Sequence, residues 1–273
     1  MSGKSNAFGT VLATLGGWLM ARAWLLPMAY AVWAAVHPAA YVAKFELMAP
    51  LTLQNFAKAF AAAPFATYFL NTCILVSGIL VMQFGICTLG AFALARAPFR
   101  GQGLIFSLVM VQLMVTPDIL IVENYRTLSQ LGLVNTLTGI GLPYIASAFG
   151  IFLLRQTFRS VPKELEDAAR MEGASPLQIL WRVYVPLAKP VYAAWGLVSV
   201  SFHWNNFLWP LIVTSSVNKR PLTVGLQVFA SVDQGIDWSI ISAATLMSSA
   251  PLLIGFLLFQ RQFVQSFMRA GIK

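Results

Sequence analysis

Four carboxylates, Glu164, Glu166, Asp167 and Glu172, crowd into the stretch ELEDAARMEGASPLQIL, although the 273 residues hold only nine acidic side chains. Elsewhere, groups able to do chemistry are sparse. His37 and His203 stand alone in different segments, no H-E-x-x-H occurs, and no Cys/His cluster has metal-ligand spacing, which argues against a metalloenzyme or intramembrane protease. Cys73 and Cys87 lie in one apolar segment and read as small packing residues that do not report the redox compartment. No G-x-x-x-x-G-K-[ST] is present, so the chain has no phosphate cradle for ATP and binds no cofactor of its own; energy must come from elsewhere. The carboxylate cluster is the feature to explain.

The elements that position it are hydrophobic. With 58% hydrophobic and 10% charged residues, the chain is solvated mainly by lipid rather than folded around one soluble core. Windows long enough to cross a bilayer as helices recur near 17–36, 70–93, 104–122, 137–154, 191–213 and 239–259. They predict an all-α membrane protein with six transmembrane helices in a single domain, 1–273. Pro117 and Pro143 fall in the third and fourth windows, where neighbouring helices can satisfy the freed backbone groups. Segments such as ILVSGILVMQFG and APLLIGFLLF are apolar on every side and lack the alternation of a transmembrane barrel.

The net charge of +9 is topological rather than a nucleic-acid footprint. Six spans place 13 of the 18 Lys/Arg on the side holding both termini and the 155–190 loop, which puts both termini in the cytoplasm. The first stretch reads as a retained span: it is long for a signal-peptide core, and no clear small-x-small site follows it. In the outer loop, Leu53, Phe56 and Phe60 can share one face of a short helix on a membrane or partner surface. Gly85, Cys87, Gly90, Ala91 and Ala95 offer span two a small-residue face for close helix contact.

The carboxylates belong to the longest cytoplasmic loop, 155–190. Pro162 suits a first helical turn, and Leu165, Ala168, Ala169 and Glu172 follow at the spacing of one helical face. Gly173 sits where a left-handed cap is wanted; Ser175 as N-cap, Pro176 at N1 and Gln178 at the capping-box position start a second helix. Its apolar face is expected to be Leu177, Leu180, Trp181 and Tyr184, with Pro186 ending it. Such a hairpin, Ala-faced and ringed by charge, suits a groove on another protein or a rest on the membrane surface. Anionic headgroups would repel four carboxylates, which favours the protein partner.

The stretch EDAARMEGASPLQILWRVYVPL resembles the EAA loop of inner-membrane permease subunits of bacterial ABC importers: EAA, three residues, Gly, nine residues, Ile, any residue, Leu-Pro. Asp167, Ala168 and Ala169 take the EAA positions, Gly173 the glycine, Val183 and Val185 the Ile and Leu, and Pro186 the proline; three positions depart conservatively. LGLVNTLTGIGLPYIASAFGIFLLRQTF and WNNFLWPL resemble the maltose-type, carbohydrate-uptake-1 branch, specifically its second permease subunit. The resemblance implies a type I importer fold in which Glu166, Asp167, Ala168, Ala169, Glu172, Gly173 and Pro186 couple the chain to an ATPase that binds ATP and Mg. It implies that the tail FMRAGIK, with Arg269 and Lys273, reaches between two ATPase subunits. A second permease subunit completing a heterodimer and a soluble substrate-binding protein are the other implied partners. The implied cargo is a sugar, a polyol or glycerol phosphate.

Polar residues buried in spans are costly and default to function. In span five, Ser201, His203, Asn205 and Asn206 stand about 15–24 Å above the cytoplasmic end at 1.5 Å per residue. They can line a sugar path or bond across to helices of the partner permease. Gln112 and Thr116 in span three, and Glu123 at its outer end, are further candidates for the path. A secondary transporter would need paired ionisable groups or inverted repeats, which the spans lack. A non-transport membrane scaffold is the other alternative.

Overall fold

The computed structural model describes residues 3–46, 48–230 and 236–271, with side chains described at 9, 11, 13–46, 48–229 and 236–258. All regular elements among them are helical: α1 (Gly3–Ala35), α2 (Ala39–Lys44), α3 (Gln54–Ala62), α4 (Phe65–Arg96), α5 (Gln102–Gln112), α6 (Ile121–Gln130), α7 (Leu137–Gly141), α8 (Ala148–Ser160), α9 (Lys163–Met171), α10 (Pro176–Ile179), α11 (Val185–Leu187), α12 (Lys189–Trp204), α13 (Leu208–Val213), α14 (Leu222–Gly225) and α15 (Trp238–Gly271). They group into two compact units, Met1–Phe65 with Leu226–Ala250, and Ala66–Gly225 with Pro251–Lys273.

In the first unit, the end of α1 leaves carbonyls without helical partners. Asn55 of α3 answers them, its buried amide donating to Ala35 O at 2.9 Å and His37 O at 2.8 Å. Of the expected apolar face, Phe60 of α3 and Leu53, its N-cap residue, are exposed, while Phe56 is half-buried. Asp237 caps the start of α15, accepting from the Ser239 and Ile240 amides.

In the second unit, α4 is the central rod. Thr72, Leu75, Val76, Ile79, Gln83, Cys87, Ala91 and Leu94 are buried at three- and four-residue spacing, while Leu70, Ile74, Val81, Met82, Ile86 and Leu89 stay exposed on the other side. A helix apolar on both faces is one that lipid or another membrane helix covers. The small-residue face packs as expected: Cys87 and Ala91 are fully buried against Leu154 and Phe158 of α8. Gly150 of α8 lies so close to Trp195 of α12 that an added Cβ would fall within 2.7 Å of three indole atoms.

The spans are less continuous than their hydropathy suggests. Phe65–Arg96 and Trp238–Leu258 alone are long and apolar enough to cross a membrane unaided; three bent pairs raise the number to at most five among the described residues. The third window bends by 92° between Gln112 and Pro117, where Thr116 is extended because the residue before a proline is pushed out of the helical region. The fourth bends by 45° between Tyr144 and Ala148, just after Pro143. The fifth is interrupted after Trp204, so Asn205 and Asn206 occupy the break before α13 and not consecutive helical positions. The first window lies inside α1, whose Arg22, Pro27 and three tryptophans dilute its apolarity.

Candidate functional site

The carboxylate-rich loop folds as a helix, a sharp turn and a second helix. Glu164 and Glu166 lie in the first turn of α9 and Arg170 in its last, each facing the helix-dipole end that favours its charge. Gly173 turns the chain with φ +81°, and Ser175 and Gln178 form a complete capping box at the start of α10. All three features follow the sequence expectation. The faces do not. Leu165, Ala168, Met171 and Glu172 point outward, Met171 being 90% exposed, whereas Glu166 is buried and Ala169 packs on the apolar cluster beneath. Ala169, beside Leu165 on the helix, lies on the edge of that face nearest Glu166 and is half-buried.

The second helix departs for another reason. Leu180–Tyr184 form a π turn, which rotates the face by a fraction of a residue. Ile179, Leu180 and Tyr184 become fully buried while Leu177 and Trp181 stand exposed, splitting the expected apolar stripe in two. Pro186 lies in the last turn of the second helix, which ends one residue later at Leu187, and the chain bends by 76° at Ala188. Asp167, Ala168, Glu172, Gly173 and Pro186 are all exposed. With Leu165, Met171, Leu177 and Trp181, the hairpin's outer surface is apolar at its centre and charged at its rim.

The inner surface is held by a charge cluster. Glu166, 7% exposed, accepts from Arg170 Nη2 at 2.6 Å and from the Tyr184 hydroxyl at 2.5 Å, with Arg96 Nε at 3.8 Å. Burial pushes its carboxyl pKa up, but the hydrogen bonds from Tyr184 and Arg170 and the charges of Arg170 and Arg96 outweigh that and hold it below the usual carboxylate value. A depressed pKa means that the pair's stabilisation is complete at neutral pH and is lost only as pH falls through that lowered value.

The second candidate region lies along α4, α8 and α12. A cavity of about 350 Å³ is lined by aromatic Tyr144, Phe149, Trp195 and Phe202 and by Gln83, Gln112, Asn124, Ser199 and His203. Among the described residues, no Asp, Glu, Lys or Arg lines it. Ser199 Oγ donates to Gln83 Oε1 at 2.6 Å, while Gln83 Nε2 donates to Tyr144 O at 2.8 Å and lies 3.3 Å from His203 Nε2. The Tyr144 carbonyl can only accept, so the Gln83 nitrogen must face it; His203 Nε2 then accepts, and the ring proton sits on Nδ1.

Of the expected pathway residues, the cavity brings together His203 and Gln112 and omits Thr116, Glu123, Asn205 and Asn206. Thr116 and Glu123 are exposed. Asn205 is exposed and bonds its own helix at Ser201 O, whereas Asn206 is half-buried and donates to the Tyr144 hydroxyl at 3.1 Å, with its carbonyl accepting from Thr223. Gln83 escaped the sequence reading, although an amide amid ILVSGILVMQFG was signal enough. Arg96 and Tyr184 gave no local signal. The side chain of Arg269 and all of Lys273 lie outside the described residues.

A broken-helix membrane protein with a hairpin of this shape belongs to a recognisable class. Residues 86–269 match the family described as binding-protein-dependent transport system inner membrane component, and the chain belongs to that family. It is 34% identical over 224 residues, 82% of this chain and 80% of the other, to an arabinooligosaccharides transport system permease protein of Halalkalibacterium halodurans. It is 33% identical over 203 residues, 74% of this chain and 72% of the other, to an sn-glycerol-3-phosphate transport system permease protein of Pectobacterium atrosepticum. Among solved structures, a chain of a bacterial ABC transporter involved in the import of the acidic polysaccharide alginate superposes with a TM-score of 0.85 at 28% identity, covering 96% of this chain and 99% of that one.

Proposed function

We propose that this chain is one half of a heterodimeric pore in an ATP-driven importer, with two ATPase subunits beneath it and a soluble substrate-binding protein above. ATP and Mg bind in the ATPases. Both termini lie in the cytoplasm, as the Lys/Arg distribution requires. The observation that carries the reading is the hairpin, whose inner side is buried in charge pairs and apolar contacts while its outer side leaves Leu165, Ala168, Met171, Leu177 and Trp181 bare. A surface built so firmly from behind and left apolar in front suits a cleft in another protein. Closure of the ATPase dimer on ATP would move the docked hairpin and, through it, the helices around the cavity, giving alternating access.

The cargo we propose is a carbohydrate or related polyol. Aromatic rings beside amides and hydroxyls stack on and hydrogen-bond to sugar rings, and a cavity wall without a cation among the described residues offers a phosphate dianion hydrogen bonds but no ion pair. Glycerol phosphate is therefore the less favoured cargo. The docking claim is tested by crosslinking. Ala168→Cys should crosslink to the ATPase with a yield that changes with nucleotide, and Ala169→Cys, at a half-buried position, should crosslink weakly. Absence of any product at Ala168 across several reagent lengths would place the hairpin on lipid instead.

A further inference from the structure

Besides apolar packing of Leu180 and Tyr184 around Phe92, the hairpin has a charged tie to α4, and that tie is built from both sides. Arg96, the last residue of α4, has a side chain 8% exposed; its Nη2 donates to Phe158 O at 2.8 Å and also to Val161 O, the carbonyls that end α8. Arg155 of α8 answers in kind, its Nε donating to Leu94 O of α4 at 2.9 Å, and Gln102 Nε2 reaches the same carbonyl at 2.7 Å. Two helix C-termini, each negative at its end, are thus clamped by each other's arginines. Glu166 docks onto this clamp from the hairpin: Arg96 stands 3.8 Å away, and the guanidinium lies 5.2 Å over the ring of Tyr184, whose hydroxyl donates to the same carboxylate.

We infer that the buried Arg96–Glu166–Tyr184 cluster is the joint that transmits hairpin movement into α4, with Glu166 and Arg96 acting as positioning residues for coupling. The inference rests on the coupling role proposed above. The exposed face of the hairpin can grip a partner; a pull on it reaches α8 and α12 through the chain itself, but reaches α4 only through the contacts behind the hairpin. Beneath α9, this cluster is the charged, solvent-shielded connection to α4. Thirteen residues further along α4, about 20 Å at 1.5 Å per residue, Gln83 supports Tyr144 and His203 at the cavity wall. One straight helix therefore carries the joint at one end and the cavity contact near its middle. Removing a partner from a buried charge pair leaves the other charge uncompensated, so the joint is expected to hold as a unit or fail as a unit.

The test uses the whole complex, purified with its partner permease and ATPases and placed in lipid nanodiscs. Spin labels go on Lys163→Cys and Ala97→Cys, both exposed positions, in a chain carrying Cys73→Ala and Cys87→Ala. The Lys163–Ala97 distance should be the same without nucleotide and with Mg-ATP and vanadate, because hairpin and α4 move together. Glu166→Gln, which keeps the shape and removes the charge, should broaden that distance only when Mg-ATP and vanadate are present, and should lower ATP-dependent uptake by about 5- to 150-fold with nucleotide-dependent crosslinking from Ala168→Cys intact. Retained crosslinking separates a failed joint from a failed docking role. A Glu166→Gln distance indistinguishable from wild type in both states would overturn the inference, as would equal broadening in both states, which marks a static brace. If Glu166→Gln does not assemble, Tyr184→Phe removes one hydrogen bond to the carboxylate and should give the same nucleotide-dependent broadening at smaller amplitude; its absence would equally overturn the inference.

Discussion

Gly173→Val perturbs the turn of the hairpin without touching the rest of this chain. Gly173 has φ +81°, and a Cβ built there meets nothing within 4 Å, so within this chain a substitution acts through its own backbone, and the series of side chains below separates that strain from a clash with a docked partner. Holding a residue with a side chain in the left-handed region costs about 1–2 kcal/mol. An energy of that size shifts a local equilibrium by a factor of about 5–30. The core beneath, formed by Phe158, Leu180 and Tyr184, is untouched, so membrane insertion and complex yield should persist while transport falls several-fold. Gly173→Ala should resemble the valine, because the strain arises at Cβ. Gly173→Asn, which tolerates positive φ better, should fall between alanine and wild type. Uptake would be measured in cells matched for the membrane level of each variant. Wild-type uptake by Gly173→Val at normal expression would refute the reasoning, and so would a loss that tracks side-chain volume instead of tolerance for positive φ.

Two further expectations concern the membrane region. Asn206→Ala should weaken the complex or alter transport, because it removes a half-buried hydrogen bond to the Tyr144 hydroxyl worth about 0.5–1.5 kcal/mol, whereas Asn205→Ala removes only a local bond to Ser201 and should be near neutral in uptake kinetics and complex yield. Gly150→Ala should destabilise the purified chain by about 1–3 kcal/mol, read as a lower thermal midpoint in detergent, since the new methyl overlaps the Trp195 ring and the buried indole has little room to shift.

What the sequence revealed follows from how local each signal is. The Gly173 turn, the Ser175–Gln178 box and the small face of α4 are decided within a few residues, and the structure has all three where pattern places them. The half-burial of Ala169 follows from Glu166, whose partners Arg96 and Tyr184 are distant in the chain, so helical spacing alone does not show which edge of the face turns inward. The π turn at Leu180–Tyr184 shifts the stripe without any proline or glycine to announce it. Hydropathy reads the broken spans as continuous because it counts apolar residues and is blind to the bends at Thr116 and after Pro143 and to the break after Trp204. The cavity drew two residues from the expected pathway set, His203 and Gln112, and owed its centre to Gln83, a polar residue in an apolar helix.

The central claim is that this chain imports its cargo on the energy of ATP supplied through the hairpin. The most direct measurement is uptake by proteoliposomes holding the chain with its partner permease and ATPases, Mg-ATP inside and binding protein outside, with a labelled neutral arabino-oligosaccharide and labelled glycerol-3-phosphate as parallel probes. The account predicts uptake that requires both ATP and binding protein, is indifferent to collapse of ion gradients, and favours the neutral sugar. Uptake driven by an ion gradient without ATP would contradict it.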